Sequence, residues 1–122
     1  MDLNHLHIGT YDLARSQRFY EDYFGFRKRR DHGPGVFLEN DDGFMLAIDP
    51  VDDVPVLPGW FHLGFTLDDA DTVKSLYARM EADGVEFAKK LMDFGDDAAV
   101  FYCLGPDGYK IEVGWYAGED FG

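Results

Sequence analysis

Hydrophobic and polar positions follow one another along the chain in an order that occurs twice. In the first half, alternation predicts a strand from Leu3 to Gly9, and a helical pattern then runs to Phe24 with Asp12 as its N-cap. Gly25 ends this helix. Three more strands are expected near Phe26–Arg30, Val36–Glu39 and Phe44–Ile48, the last two joined by the turn Asn40–Gly43. The predicted order is βαβββ.

The second half repeats that order after a loop from Pro50 to Gly59. Its first strand is predicted from Trp60 to Leu67, and its helix runs from about Asp69 to Asp83, where Gly84 ends it. Further strands are expected at Val85–Lys89, Ala99–Leu104 and Tyr109–Trp115, with the turn Gly105–Gly108 before the last. We therefore expect one α+β domain over residues 1–122, with modules at about 3–49 and 60–116. Their curved mixed sheet should cup a cleft and carry the helices on its outer face.

The predicted strands have two different faces, because alternate residues of a strand point to opposite sides. One face is apolar and should pack on the helices; it carries Leu6, Ile8, Phe61, Leu63, Phe65, Leu67, Ile111, Val113 and Trp115. The other is polar, aromatic and rich in glycine; it carries His5, His7, Gly9, Trp60, His62, Gly64, Thr66, Lys110, Glu112, Gly114 and Tyr116. Such a face suits a ligand cleft, because glycine lets a ligand approach the backbone.

The formal charge of −13 disfavours nucleic acid as a partner, because a phosphate backbone is bound by a basic face. The basic run Arg27–Arg30 is interpreted as a charged edge strand, and acidic pairs such as Asp52–Asp53 as solvated surface, although a cationic ligand would also suit them. Cys103 is interpreted as a buried structural residue. No apolar run reaches the roughly 20 residues that cross a bilayer, and no signal peptide is recognisable, so a cytoplasmic protein without membrane partners is expected.

Three side chains of the polar face form a candidate metal site. His5 and His62 occupy matching places near the start of each module's first strand, and Glu112 lies on the last strand. Two imidazoles and a carboxylate make a facial triad, which binds Fe(II), Mn(II) or a similar ion and leaves positions open for water or substrate. Each residue alone also has a structural interpretation, as a hydrogen-bonded histidine or a solvated glutamate.

For other polar residues the pattern leaves alternatives open. His7 is either an acid/base or supporting group of the cleft or a neutral hydrogen-bonded histidine. Tyr102 either donates a hydrogen bond to a substrate oxygen or only packs in the sheet. His32 is interpreted as a loop residue, and Lys89 and Lys90 as solvent-exposed residues that follow a strand.

The two ends of the chain carry recognisable motifs. The opening segment contains Leu3-Asn4-His5-Leu6, Asp12-Leu13, Ser16, Phe19-Tyr20 and Phe24-Gly25-Phe26, and the closing hairpin reads Gly105-Pro106-Asp107-Gly108-Tyr109-Lys110-Ile111-Glu112-Val113. These segments resemble the vicinal oxygen chelate superfamily, which includes glyoxalases, bleomycin-resistance proteins and extradiol dioxygenases. The resemblance extends from about Leu3 to Trp115 and is specific for the superfamily rather than for one reaction.

The resemblance implies a divalent metal ion, with Fe, Mn, Zn and Ni as candidates, ligated by His5, His62 and Glu112. Glu112, Tyr102 and His7 become the catalytic candidates. It also implies a homodimer in which modules of different subunits share a cleft, so that the ligands come from one chain or from two.

Departures from the family narrow the expected reaction. Glyoxalase I has a fourth metal ligand on the last strand of its first module. Glu112 follows Gly108 by four residues, and the residue four after Gly43 is Ala47. A methyl group cannot bind a metal or take a proton, so the glyoxalase I reaction is disfavoured. Fosfomycin-modifying members use serines in the loop before the strand of Tyr102 and an arginine beyond the position of Glu112. Here the loop Asp93–Asp97 is acidic and no arginine follows Glu112. An acidic loop repels a phosphonate, so a fosfomycin-modifying reaction is disfavoured. Extradiol dioxygenases use the same His, His, Glu set, but their typical members are longer.

These patterns favour a divalent-metal-dependent enzyme of the glyoxalase or dioxygenase type, acting on a small substrate that chelates the ion through oxygens. A dioxygenase and a lyase or isomerase are both consistent with that site. The alternative is a metal-free bleomycin-resistance-type protein that sequesters a cationic ligand between aromatic walls such as Trp60 and Tyr116. A domain that only dimerises or senses a ligand is a third hypothesis.

Overall fold

The computed structural model describes residues 1–118, and the chain forms two compact units, Met1–Val56 and Leu57–Gly122. Each unit contains two layers, a helix and a four-stranded mixed sheet, with the element order βαβββ. The predicted α+β class and the duplicated module are therefore confirmed. No helix among residues 1–118 is long and apolar enough to cross a membrane.

The first module comprises β1 (His5–Thr10), α1 (Leu13–Phe24), β2 (Arg27–His32), β3 (Gly35–Glu39) and β4 (Met45–Pro50). Its sheet has the order β1-β4-β3-β2, in which β1 and β4 are parallel and the other pairs antiparallel. Strand β2 lies at one edge with all six residues exposed, so the charged edge strand is confirmed.

The second module comprises β5 (Leu63–Thr66), α2 (Ala70–Ala82), β6 (Phe87–Asp93), β7 (Ala98–Leu104) and β8 (Lys110–Tyr116). Its sheet repeats the arrangement with the order β5-β8-β7-β6, and β5 and β8 are its parallel pair. A single 3₁₀ turn, Pro106–Gly108, joins β7 to β8.

Local capping explains where the helices begin and end. The carboxylates of Asp12 and Asp69 accept hydrogen bonds from backbone N–H groups three residues later, at 3.1 and 2.7 Å. Gly25 ends α1 in the left-handed conformation, with φ of 69°, which suits a residue without a side chain. Both predicted helices are confirmed to within one residue at each end.

One face of each sheet packs on the module's own helix. Helix α1 packs on β4, and α2 packs on β7 and β8. The fully buried side chains of these layers include Tyr20, Leu38, Leu46, Ile48, Val73, Met80, Phe101, Cys103, Ile111 and Val113. Cys103 is buried as predicted, and burial raises the pKa of its thiol to about 12.

Several predicted strand boundaries are wrong. Strand β5 begins only at Leu63, because Phe61 donates its N–H to the carbonyl of Pro58 in a turn, which leaves Phe61 exposed rather than in the apolar face. Strand β6 runs later than predicted and includes the exposed Lys89 and Lys90. His32 is not in a loop but is the last residue of β2, where its ring packs 4.6 Å from that of Phe37.

A β-bulge interrupts the edge strand of both modules at the same place. In the first, Lys28 is paired with Leu38 and Arg30 with Phe37, so Arg29 is the additional residue. In the second, Phe87 is paired with Cys103 and Lys89 with Tyr102. Directly opposed residues point to the same side of a sheet, so each bulge moves a basic side chain away from the helix-covered face.

Candidate functional site

Three predicted site residues meet on the helix-free face of the second module. Glu112 lies on β8, directly opposite Tyr102 on β7 and Gly64 on β5. His62 lies immediately before β5, and its Nε2 atom approaches the Glu112 carboxylate on this side of the sheet. A side chain at Gly64 would meet no neighbouring atom, which leaves open space beside Glu112.

The carboxylate of Glu112 is the centre of this cluster. Its Oε1 atom accepts a hydrogen bond of 2.9 Å from the Tyr102 hydroxyl and lies 3.0 Å from Nε2 of His62. The Glu112 side chain is 12% exposed and that of His62 36%. The His62 ring also meets the Tyr102 ring edge to face, with centroids 5.4 Å apart. Burial and the hydrogen bond to Glu112 raise the pKa of Tyr102, so its hydroxyl remains a donor.

The second carboxylate oxygen of Glu112 is occupied by Tyr116, whose hydroxyl donates to Oε2. The two residues are four apart on β8, and the tyrosine ring folds back across Gly114 to reach the carboxylate. A Cβ atom at Gly114 would lie only 2.8–2.9 Å from three atoms of that ring. Burial and the contact with Glu112 raise the pKa of Tyr116 as well. Both oxygens of Glu112 are therefore held in place by phenol donors.

Both ring nitrogens of His62 face an oxygen acceptor. Nδ1 lies 3.0 Å from the carbonyl oxygen of Trp60, which only accepts, so in the neutral ring Nδ1 carries the hydrogen. In that tautomer the Nε2 lone pair faces Oε1 of Glu112 at 3.0 Å, and a cation between the two atoms satisfies both; a ring protonated on both nitrogens satisfies them as an ion pair. Ligand atoms about 2.1 Å from a metal ion and at right angles to each other are about 3.0 Å apart. This pair fits two adjacent metal ligands.

Two lysines bring positive charge to the same face. The ammonium groups of Lys89 and Lys110 lie 5.6 and 5.2 Å from the centroid of the Tyr102 ring, within the range of cation–π contacts. Lys110 also donates a hydrogen bond to the carbonyl of Gly59. These cations offset part of the negative charge that Glu112 places on this surface.

The first module presents the equivalent surface without the carboxylate. Ala47 is paired with His7, which follows His5 by two residues. In the second module Glu112 is paired with Gly64, which follows His62 by two residues. Ala47 therefore occupies the place that Glu112 has in the second module. Nδ1 of His5 donates to Oδ1 of Asn4 at 2.9 Å, which again leaves Nε2 free to bind a metal.

His7 lies on the same strand face as His5 but has a different partner. Its Nε2 atom is 2.5 Å from Oδ2 of Asp49 on the neighbouring β4. This hydrogen bond places the His7 proton on Nε2, so Nδ1 is the atom left to accept a proton. A Cβ atom at Gly35 would lie 2.0 Å from the Asp49 carboxylate, so the glycine provides the space for this pair.

The structure thus gathers His62, Glu112 and Tyr102 in the second module, whereas His5 and His7 belong to the first. No group of three or more His, Cys, Asp or Glu side chains positioned for one metal ion occurs among residues 1–118. The contact of Tyr116 with Glu112 and the pairing of His7 with Asp49 were not predicted from the sequence. Glu112, Gly114 and Tyr116 alternate along one face of β8, and this spacing could have indicated the contact between Tyr116 and Glu112.

Comparisons with known proteins agree with this architecture. A family model described as the Glyoxalase/Bleomycin resistance protein/Dioxygenase superfamily matches residues 2–113. A glutathione transferase, FosA from Serratia marcescens, is 31% identical, and the match covers 91% of this chain and 78% of FosA. A structure of a possible glyoxalase from Bacillus cereus superposes with a TM-score of 0.79 at 27% identity, covering 93% and 97% of the two chains. The fosfomycin resistance protein FosX from Listeria monocytogenes, solved as a mutant with Mn(II) and a dihydroxypropylphosphonic acid, has a TM-score of 0.77 at 21% identity, covering 96% and 90%.

Proposed function

This chain belongs to the Glyoxalase/Bleomycin resistance protein/Dioxygenase superfamily, and we propose that it is a divalent-metal-dependent enzyme whose small substrate chelates the ion through oxygens. The observation that carries the proposal is the approach of His62 Nε2 to Glu112 Oε1 at 3.0 Å, which is the spacing of two ligand atoms at right angles on one metal ion. His5 is the third proposed ligand, because its hydrogen bond to Asn4 uses Nδ1 and leaves Nε2 available for an ion. The presence of Mn(II) in the FosX structure supports a divalent ion of this type.

The proposed roles of the residues follow from their contacts. A bound divalent ion supplies Lewis-acid stabilisation of negative charge on substrate oxygens. Tyr102 has one hydroxyl hydrogen, which it donates to Glu112, and a substrate oxygen next to that carboxylate would accept this hydrogen in place of Glu112. His7 accepts a substrate proton at Nδ1, because Asp49 holds Nε2–H and orients the ring. Tyr116 holds the second oxygen of Glu112, so that Oε1 faces His62.

The test is the metal content of untagged protein expressed in medium supplemented with Fe, Mn, Zn and Ni. We expect close to one ion per chain in the wild type and little in Glu112→Ala or His62→Ala. Glu86→Ala is the matched control, because it removes an exposed carboxylate outside the cluster. A metal-free wild type, or an unchanged ion content in both site variants, would refute the proposal.

We also propose a homodimer, and subunit mixing tests whether its metal ligands come from two chains. His5→Ala and Glu112→Ala each remove one ligand, and the two variants are unfolded together and refolded as a mixture. If each site combines ligands of two chains, random pairing restores about a quarter of the sites, because half of the dimers are mixed and one of their two sites is intact. No restoration means that each chain supplies its own three ligands. Light scattering checks that the mixture is dimeric.

The alternative function is metal-free sequestration of a cationic ligand, and the exposure of aromatic residues beside the cluster favours it. The Trp60 side chain is 76% exposed and that of the neighbouring Phe61 40%, in a chain with a net charge of −13. Tyr116, however, is turned toward Glu112 instead of standing as a second aromatic wall. Titration of metal-free protein with bleomycin, followed by tryptophan fluorescence, tests this function directly: no saturable change would exclude it.

A further inference from the structure

Arg30 is the last residue of the basic run Arg27–Arg30 in β2, and two other members of that run form ion pairs. Lys28 pairs with Asp31 at 2.5 Å, and Arg29 pairs with Glu39 at 3.2 Å. No carboxylate among residues 1–118 lies within ion-pair distance of Arg30, whose guanidinium lies 4.7 Å from the centroid of the Phe37 ring. Arg27 also forms no ion pair among residues 1–118, so the contact with the Phe37 ring is what distinguishes Arg30 within this run.

The β-bulge at Arg29 determines where this guanidinium points. Lys28 is paired with the fully buried Leu38, so an unbroken ladder would turn residue 30 toward the helix-covered face as well. The additional residue instead places Arg30 opposite Phe37, which in turn lies opposite Ala47. Bulges are frequent where a side chain has to be redirected toward a site.

A cavity of about 360 Å³ opens on this face of the first module, and its lining includes Asp2, His5, Arg30, Phe37, Met45 and Ala47. This volume lies within the range of small-molecule sites, about 300–1,000 Å³. The small side chain of Ala47 leaves room at the position that Glu112 fills in the second module. The cavity therefore combines a guanidinium that has no carboxylate partner within residues 1–118, an aromatic ring and a histidine whose Nδ1 atom is bound to Asn4.

We propose that this cavity is a subsite for a carboxylate group and that Arg30 is the residue that binds it. A guanidinium lying on an aromatic ring still presents the N–H groups of its edge, and that planar fork matches the two oxygens of a carboxylate. The inference rests on the proposed function in one respect: the bound carboxylate is part of the substrate, distinct from the oxygens that chelate the ion. It narrows the substrate class to small organic acids.

Asp2 is the one acidic side chain in the lining and opposes the binding of an anion. It belongs to the exposed segment before β1 and makes no ion pair with Arg30. The Asp2→Asn variant is therefore expected to bind a carboxylate more tightly than the wild type does. This variant gives a second test of whether the cavity binds an anion.

The experiment uses full-length, ¹⁵N-labelled protein freed of metal with EDTA and titrated with succinate. Backbone amides of β2, β3 and β4 and the Arg30 Nε–H are followed by NMR. We expect saturable shifts centred on Arg30, Phe37 and Ala47. Arg30→Gln should weaken binding about fivefold or more, as expected for a partly exposed ion pair. Arg29→Gln is the matched control and should keep the wild-type affinity, because Arg29 pairs with Glu39.

Three results would overturn the inference: no saturable shift, equal affinities in Arg30→Gln and the wild type, or shifts confined to the second module near Lys89. Inorganic phosphate is titrated in parallel, and binding of phosphate without binding of succinate would contradict the carboxylate class. Metal content is measured on separate samples. A protein that binds metal but not succinate refutes only the subsite, and one that binds succinate but no metal refutes only the metal-dependent enzyme.

Discussion

Because the Tyr116 ring lies over Gly114, we expect Gly114→Ala to lower the free energy of unfolding. Replacing glycine by alanine in a strand normally stabilises a protein by about 0.4–1 kcal/mol where the backbone permits it, because the unfolded chain loses freedom. At position 114 the added methyl group would lie 2.8 Å from Cε2 and Oη of Tyr116 and 2.9 Å from Cζ. Carbon atoms pack at about 3.5–4.0 Å, so the ring has to move by about 0.7 Å or more.

That movement breaks the hydrogen bond from Tyr116 to Oε2 of Glu112. A hydrogen bond to a charged group contributes about 1.5–3 kcal/mol, and the Glu112 side chain is only 12% exposed, so water replaces it incompletely. After subtraction of the usual gain from Gly→Ala, we expect Gly114→Ala to lower the free energy of unfolding by about 1–2 kcal/mol. In a Tyr116→Ala background the ring is absent, and the same substitution should be neutral or stabilising.

Urea denaturation of the wild type, both single variants and the double variant gives the coupling energy between the two positions. We expect about 2 kcal/mol, provided that the m-values of the four proteins agree. Tyr116→Phe separates the two effects, because it removes the hydrogen bond and keeps the ring. Equal effects of Gly114→Ala in the presence and absence of Tyr116 would mean that the Tyr116 ring does not cover position 114 on its way to Glu112.

Two further predictions concern the modules themselves. Burial raises the pKa of Cys103 from 9.0 to about 12, so the unfolded chain loses its thiol proton first, and the free energy of unfolding should fall by up to about 1.4 kcal/mol per pH unit from pH 9 toward 12. Cys103→Ala should show a shallower decline between pH 8 and 10.5 in urea titrations; an unchanged slope would contradict the assignment. Asp12→Ala removes the N-cap of α1 and should destabilise the protein by about 1 kcal/mol, whereas the exposed turn variant Asp41→Ala should not, as measured by thermal unfolding in circular dichroism.

The order of elements could be predicted from the sequence because its signals are local. Asp12 and Gly25 determine the ends of α1 through contacts within a few residues. The start of β5 could not be predicted in this way. The segment from Trp60 to His62 alternates like a strand, but a turn closed by the carbonyl of Pro58 holds it outside the ladder.

Parts of the candidate site could likewise be predicted from local signals, whereas other parts depend on strand register. Glu112 was recognisable because strand alternation and the closing hairpin fix its face on β8, whereas His62, predicted on a strand, reaches Glu112 from a position just before β5. The pairing of His7 with Asp49 depends on the register of the parallel strands β1 and β4, which no neighbouring residue reveals. The orientation of Arg30 depends on one additional residue in the ladder, and a shift of one residue reverses the face on which a side chain lies.

Comparison of the two modules shows which features the repeated frame keeps and which it does not. Both keep a histidine whose Nδ1 atom faces an oxygen acceptor and a basic side chain that a bulge places over an aromatic ring. Only the second module has a carboxylate and a phenol at the paired positions, Glu112 and Tyr102, where the first has Ala47 and Phe37. The polar pair places a carboxylate and a hydroxyl beside His62, and its apolar counterpart leaves space beside a guanidinium that has no carboxylate partner among residues 1–118. Under the proposed function, the second module therefore supplies charge to the ion, and the first supplies volume and a cation to the substrate.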